Sequence, residues 1–185
     1  MEMNQKYIGL KFSPDGTKLA FKCRHADKNN LENWLTSSFV YDLQTERLHL
    51  LEHETSHVIW FNNTELILSV WEDVRTMKNM FIRRYTFDGS EYETLFEFWR
   101  PPHILPLSDN QLLYDTPYSA EASLNIFDIQ NKKSRQLFKI DNKPLNGDFG
   151  GEYRCDLHAG LSVDKRKIIF DSDADGGRQI YAYDL

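Results

Sequence analysis

Short runs rich in Val, Ile, Leu and aromatic residues, a pattern that returns about every 46 residues, and almost no helical periodicity point to one fold class. They predict an all-β chain, a β-propeller of about four blades, each a four-stranded antiparallel sheet and the last one incomplete. On this reading the 185 residues are a single domain with blades at about 7–52, 57–98, 103–140 and 156–185.

The elements follow in order. The first blade reads as strands at Tyr7–Phe12, Lys18–Arg24, Ser38–Leu43 and Arg47–Glu52. Its first turn is Ser13-Pro14-Asp15-Gly16, in which Pro14 presets φ and Gly16 permits a positive one. Lys28–Thr36 reads as an irregular stretch between the second and third strands. The second blade reads as His57–Phe61, Glu65–Trp71, Met80–Phe87 and Tyr92–Phe98, and the third as His103–Leu107, Gln111–Asp115, Leu124–Ile129 and Arg135–Ile140. Asp141–Asp156 is polar and Gly-rich, an insertion between blades of the kind that carries function or moves. Leu157–Ser162, Lys167–Asp171 and Gln179–Asp184 make the last, three-stranded set. The register is internally consistent: Gly9, His57, His103 and His158 each stand six residues before the Asp or Asn of a turn, and KLAF, ELIL, QLLY and KIIF follow those turns.

Composition removes several function classes. With 41% hydrophobic and 14% aromatic residues the chain is too apolar for a disordered one. No apolar run is long enough to span a membrane. A net charge of −6 argues against a nucleic-acid partner, which requires a basic face. Cys23 and Cys155 fit neither a disulfide framework nor a zinc ribbon. The N-terminal residues lack a charged-then-apolar signal region, which predicts a cytoplasmic chain.

FSPDGTKLAF at residues 12–21 resembles the PD40, or WD40-like, repeat of TolB-type β-propellers. The tail, RCDLHAGLSVDKRKIIFDSDADGGRQIYAYDL, is similar to the closing blade of a bacterial group related to oligogalacturonide lyases, as are SHVIW at Ser56–Trp60 and the pairing of His103 with Asp115-Thr116. It differs from that pattern at Ala159 and Leu161, and at Lys165, which replaces a turn glycine. The resemblance implies a six-bladed parent, so that four blades would be an open or partial form whose exposed edge strands invite a homo-oligomer. It also implies a divalent metal, manganese, zinc or a similar ion, held by histidines facing the channel.

The repeat itself brings His57, His103 and His158 to equivalent positions, at the start of successive first strands and therefore at one mouth of the channel. Three imidazoles there are either metal ligands or structural wedges hydrogen-bonded between blades. The same mouth should collect Arg24, His25, Arg100, Asp115, Glu152, Arg154, Asp156 and Asp171. Arginines beside His suit a bidentate clamp on a carboxylate, and Arg154 and Arg100 are the catalytic candidates for a uronate lyase, which must neutralise the sugar acid while a proton leaves beside it. Arg154 and Asp156 could equally brace the insertion. Trp34 and Tyr118, in expected loops, could stack on a sugar ring, whereas Trp60, Trp71, Trp99, Phe81 and Tyr85 read as packing between sheets.

Asp171, Asp173 and Asp175 open like a calcium loop, but position twelve is Ala182 rather than Glu, so an acidic hairpin turn is the better reading. No nucleophile elbow or phosphate loop is present, and Cys23 lies in an apolar strand. Cys155 falls in a loop that leaves room for exposure, and nothing in the sequence marks it as an activated thiol. Two functions remain. One is a carbohydrate-related propeller that binds or cleaves acidic oligosaccharides, as a metal-assisted lyase if catalytic. The other is a non-catalytic TolB-like scaffold that takes a protein segment.

Overall fold

The computed structural model describes residues 5–27, 30–74, 76–141 and 154–185, and of residues 5–7, 25–27 and 30–34 the backbone alone. Every regular element among them is a β-strand, and neighbours in sequence pair antiparallel within each sheet. The fold class is therefore the predicted one, a β-propeller built of four blades. The chain divides into two compact units, Met1–Pro101 and Pro102–Leu185, each holding two sheets.

In the first unit, β1 (Gln5–Phe12), β2 (Lys18–Asp27), β3 (Asn30–Asp42) and β4 (Arg47–Glu52) form one sheet. The other contains β5 (Thr55–Trp60), β6 (Glu65–Asp73), β7 (Lys78–Thr86) and β8 (Tyr92–Phe98). The expected irregular stretch at Lys28–Thr36 is corrected: β3 starts at Asn30, and its pairing with β2 runs through His25↔Leu35 and Ala26↔Trp34. No Gly or Pro interrupts residues 18–42, so the ladder extends past Arg24. Ala20, Val40 and Leu51 of the first sheet pack with Val58, Trp60, Leu66, Leu68, Val70 and Tyr85 of the second. Polar contacts lock this packing, because Trp60 Nε1–H donates to the Lys11 carbonyl at 2.9 Å and Tyr85 O–H to Glu52 Oε2 at 2.8 Å. Of the aromatics read as packing, Trp99 is instead half exposed, since it lies beyond the end of β8.

In the second unit, β9 (Ile104–Ser108), β10 (Gln111–Asp115), β11 (Glu121–Asp128) and β12 (Lys133–Asp141) make a four-stranded sheet. β13 (Gly160–Leu161), β14 (Lys167–Ser172) and β15 (Gln179–Asp184) make the three-stranded one that the sequence predicts. Leu113, Ala122, Leu124 and Ile126 bury against Leu157, Ile168 and Phe170. β13 is shorter than expected because His158, at φ +41°, turns the chain out of extended geometry just before it. The acidic stretch after Asp171 is a hairpin turn, with Gly176 N–H donating to the Asp173 carbonyl and Tyr181 O–H to Asp175.

The repeat is visible atom by atom in two turns. Ser13 N–H donates to the Lys18 carbonyl and Lys18 N–H to Ser13 Oγ, while the Ser13 hydroxyl donates to Asp15. Ser162, Lys167 and Asp164 make the same three bonds at the other end of the chain. Gly16 sits at φ +71° and Lys165, its counterpart, at φ +58°. A lysine pays a steric penalty there that glycine avoids, so Lys165→Gly is expected to stabilise the protein by about 0.5–1 kcal/mol in urea unfolding. Gly16→Ala should shift the midpoint the opposite way.

The turn carboxylates also set the acid limit. Asp15 is held down at about 2, first by the Ser13 hydroxyl and then by Thr17 N–H, and Asp164 is lowered by Ser162 and Arg166 N–H. A carboxyl depressed on folding contributes its stability above its unfolded value near 4, and that contribution is lost as pH falls towards the folded value. The urea midpoint is therefore expected to hold at pH 5–6 and fall between about pH 4 and 2. Asp15→Asn with Asp164→Asn should lower it at pH 6 and flatten the acid limb.

Candidate functional site

The site grows from the segment that leads into β13. In extended chain alternate residues share a side, which groups Arg154, Asp156 and His158, while Cys155 and Leu157 turn into the protein. Leu157 joins the hydrophobic core, which anchors the residues on either side of it. Cys155 is 3% exposed, and burial pushes its thiol up, away from nucleophilic use.

Opposite stands His103, immediately before β9. The Asp115 carboxylate, at the end of β10, accepts both the His103 backbone N–H and its Nδ1–H, each at 2.8 Å. A carboxylate and a carbonyl can only accept, so both histidine tautomers follow from their partners. His103 carries its proton on Nδ1 towards Asp115, and His158 carries its own on Nδ1 towards the Asp156 carbonyl at 3.1 Å. In its neutral form each ring therefore keeps the Nε2 lone pair, and the two ring centroids are 3.9 Å apart. Burial pulls the His103 pKa down, but the bond to Asp115 and the charges of Asp115 and Asp156 outweigh it and hold the value above the usual range.

His103, Asp156 and His158 each offer one ligand atom, and these atoms lie within 4.8 Å of one another. Two ligands on one ion at ~2.1 Å stand at most about 4.2 Å apart, so a small closure of side chains would accommodate a divalent metal. The donor set also suits it, with two imidazoles and a carboxylate, and Asp115 behind His103 supplies the outer carboxylate that orients metal-binding histidines. Arg154 Nε–H donates to Asp156 Oδ2 at 2.9 Å, which leaves Oδ1 for an ion. The Arg154 guanidinium lies 4.8 Å from the Tyr118 ring, and Arg178 donates to the Arg154 carbonyl at 2.8 Å.

The structure thus brings together His103, His158, Asp115, Asp156, Arg154 and Tyr118 among the residues expected from sequence. Asp115 is 1% exposed and stands behind His103, where it positions the ring instead of meeting a ligand. His57 belongs to the first unit and lies in a bulge between Thr55 and Val58, as Gly9 lies in one between Ile8 and Lys11. Arg100 is in that unit too, its guanidinium 3.0 Å from Met77 Sδ, as is Arg24, which lines a cleft with Lys22, Thr36 and Trp71. His25 and Trp34 lie on β2 and β3, with side chains outside the description, and Glu152 lies outside the described residues. Arg178 was not singled out from sequence, since its role depends on a hairpin folding back onto Arg154.

No protein family and no curated protein matches the sequence. Solved structures do. An oligogalacturonate lyase in complex with manganese superposes over 100% of this chain and 67% of its own, at 13% identity and a TM-score of 0.58. TolB from Acinetobacter baumannii matches over 98% of this chain and 55% of its own, at 11% identity and a TM-score of 0.61. The nidogen/laminin complex matches over 94% and 64%, at 9% identity and a TM-score of 0.58. The chain spans about two thirds or less of each of these structures. It shares with TolB, the lyase and related PD40-type proteins the β-propeller fold.

Proposed function

We propose that this chain is a metal-dependent carbohydrate-related propeller, with His103, Asp156 and His158 holding a divalent ion that takes part in binding acidic oligosaccharides. The observation that carries the reading is the convergence of three ligand atoms within 4.8 Å, next to a guanidinium. When bound, the ion would supply Lewis-acid stabilisation to a carboxylate or to charge developing beside it. The chain's own residues supply the rest. Asp115 fixes the His103 ring, and Arg154, held by Asp156 and the face of Tyr118, offers its remaining N–H groups to a sugar acid. Tyr118 gives one face of a sugar ring an aromatic neighbour. The manganese-bound lyase among the structural neighbours supports this choice of metal and substrate class. In catalytic form, the reaction would be elimination from a uronate: a base takes the proton beside the carboxylate, the C–O bond to the neighbouring sugar breaks and that sugar leaves as the alcohol, and a double bond conjugated to the carboxylate forms.

The test is metal analysis of the purified protein, then titration with oligogalacturonides with and without manganese, with ultraviolet detection of unsaturated product. Bound metal at one per chain, lost in His158→Ala, and saccharide binding that needs it are expected. A chain that binds neither metal nor saccharide would leave the second reading, a scaffold for protein partners, which the likeness to TolB and to nidogen in complex with laminin favours.

A further inference from the structure

Within the first unit, an open cleft of about 520 Å³ is lined by Met77, Asn79, Glu97, Phe98 and Trp99. That volume falls within the ~300–1,000 Å³ usual for ligand sites. Stability alone would not select several of these residues. Trp99 stands just past β8 with its indole side 51% exposed, and Pro101 keeps Arg100 extended, so the segment presenting the ring is stiff. Met77 is 57% exposed and sits at φ +50°, a left-handed conformation that favours glycine. Asn79 repeats that geometry two residues on, at φ +47°, and both side chains reach the cleft from the turn into β7. Strain of this kind together with apolar surface left in water is what a binding site retains and a mere turn discards.

The polar groups of the lining select the ligand. Asn79 Nδ2–H donates to Glu72 Oε2 at 2.6 Å, and a carboxylate only accepts, so the amide oxygen points away from Glu72. Glu97 is exposed, and it offers two further acceptor oxygens. The Arg100 guanidinium packs against Met77 Sδ at 3.0 Å and holds that wall. An anion entering the cleft meets Glu97 and a cation meets Arg100, whereas a neutral ligand rich in hydroxyls offends neither. The C–H face of a pyranose packs on an indole while its rim hydroxyls donate to acceptors beside the ring. We propose that this cleft is a neutral-saccharide site, in which a pyranose ring stacks on Trp99 and donates hydrogen bonds to Glu97 and Asn79. It does not rest on the metal cluster, which belongs to the second unit and has an acidic ligand proposed for it.

The experiment is titration of the whole chain with cellotetraose, mannotetraose and galactotetraose in the presence of EDTA, followed by tryptophan fluorescence and saturation-transfer NMR. Saturable binding of at least one is expected. Trp99→Ala should weaken it about tenfold or more, and Trp99→Phe, which keeps an aromatic face, should weaken it less. Met77→Gly should keep or raise the melting temperature while weakening binding, a divergence that a purely structural role would not give. Trp99→Ala should leave the melting temperature close to the parent's; a fall as large as that of a buried core truncation would make the indole a strut and overturn the proposal. Absence of saturable binding, or equal binding by Trp99→Ala and the parent, would overturn it as well. Tetramethylammonium bound more tightly than any of the saccharides, and lost in Trp99→Ala, would make the cleft a cation site instead. His158→Ala should bind the neutral saccharides as the parent does, and loss of binding there with Trp99→Ala unaffected would assign them to the metal cluster.

Discussion

Asp115→Asn is expected to lower manganese affinity ten- to a hundred-fold although it substitutes none of the three ligand residues. The carboxylate accepts two bonds from one residue, His103 N–H and Nδ1–H, both 2.8 Å long. Those bonds fix the ring's rotation and its tautomer together, and the negative charge makes Nε2 a better donor to a metal. An asparagine keeps one accepting oxygen but presents an NH2 group to a position already occupied by a donor. The ring must then rotate, or move its proton to Nε2, where it blocks the ligand position. Because Asp115 is 1% exposed, the unmatched amide should also cost about 1–3 kcal/mol in urea unfolding. His158 is the internal comparison. Its Nδ1 partner is a backbone carbonyl, which no side-chain substitution removes, so affinity lost in Asp115→Asn reports on the His103 side of the site. Equal manganese titrations for Asp115→Asn and the parent, both folded, would reduce the His103–Asp115 pair to a packing contact.

The spacing of the histidines was legible because a blade is a repeat. A residue six positions before a turn occupies the same place in each copy, and His103 and His158 do meet in the second unit. The blade register was legible for the same reason, down to the equivalent bonds of Ser13 and Ser162. What sequence could not supply was depth. Asp115 looked like a residue facing substrate, yet the end of β10 buries it behind His103, and only the partner of a carboxylate reveals which role it has. Asp156 was offered for substrate binding, though its two-residue spacing from His158 already marked it as a companion on the same side of an extended segment. The bonds of Lys11 and Lys22 to backbone carbonyls carry no sequence signal, because lysines on strands ordinarily face water. Here the bulge of β5 aims two carbonyls at them.

Leu157→Ala is expected to cost about 2–5 kcal/mol and, unlike other core truncations, to weaken metal binding in the protein that remains folded. Leu157 is 1% exposed and packs with Leu113, Leu124, Ile168 and Phe170, so its removal leaves a cavity within a close-packed core. It is also the residue between Asp156 and His158, and among the described residues neither flank is a regular strand, since β13 begins only at Gly160. The backbone bond from Asp171 N–H to the Leu157 carbonyl at 2.9 Å and the buried side chain therefore anchor the segment that carries both ligands. With the side chain gone, the segment gains freedom, and each productive arrangement of ligands becomes a smaller fraction of the population. Leu68→Ala gives the contrast: Leu68 is fully buried in the core of the first unit, packed with Val58 and Tyr85, whereas the cluster belongs to the second. Its loss should cost a similar amount in urea unfolding and leave manganese affinity unchanged under native conditions. Parallel loss of affinity in both variants would mean that metal binding follows global stability. Loss confined to Leu157→Ala would mean that the core of the second unit, through this one residue, sets the geometry of the site.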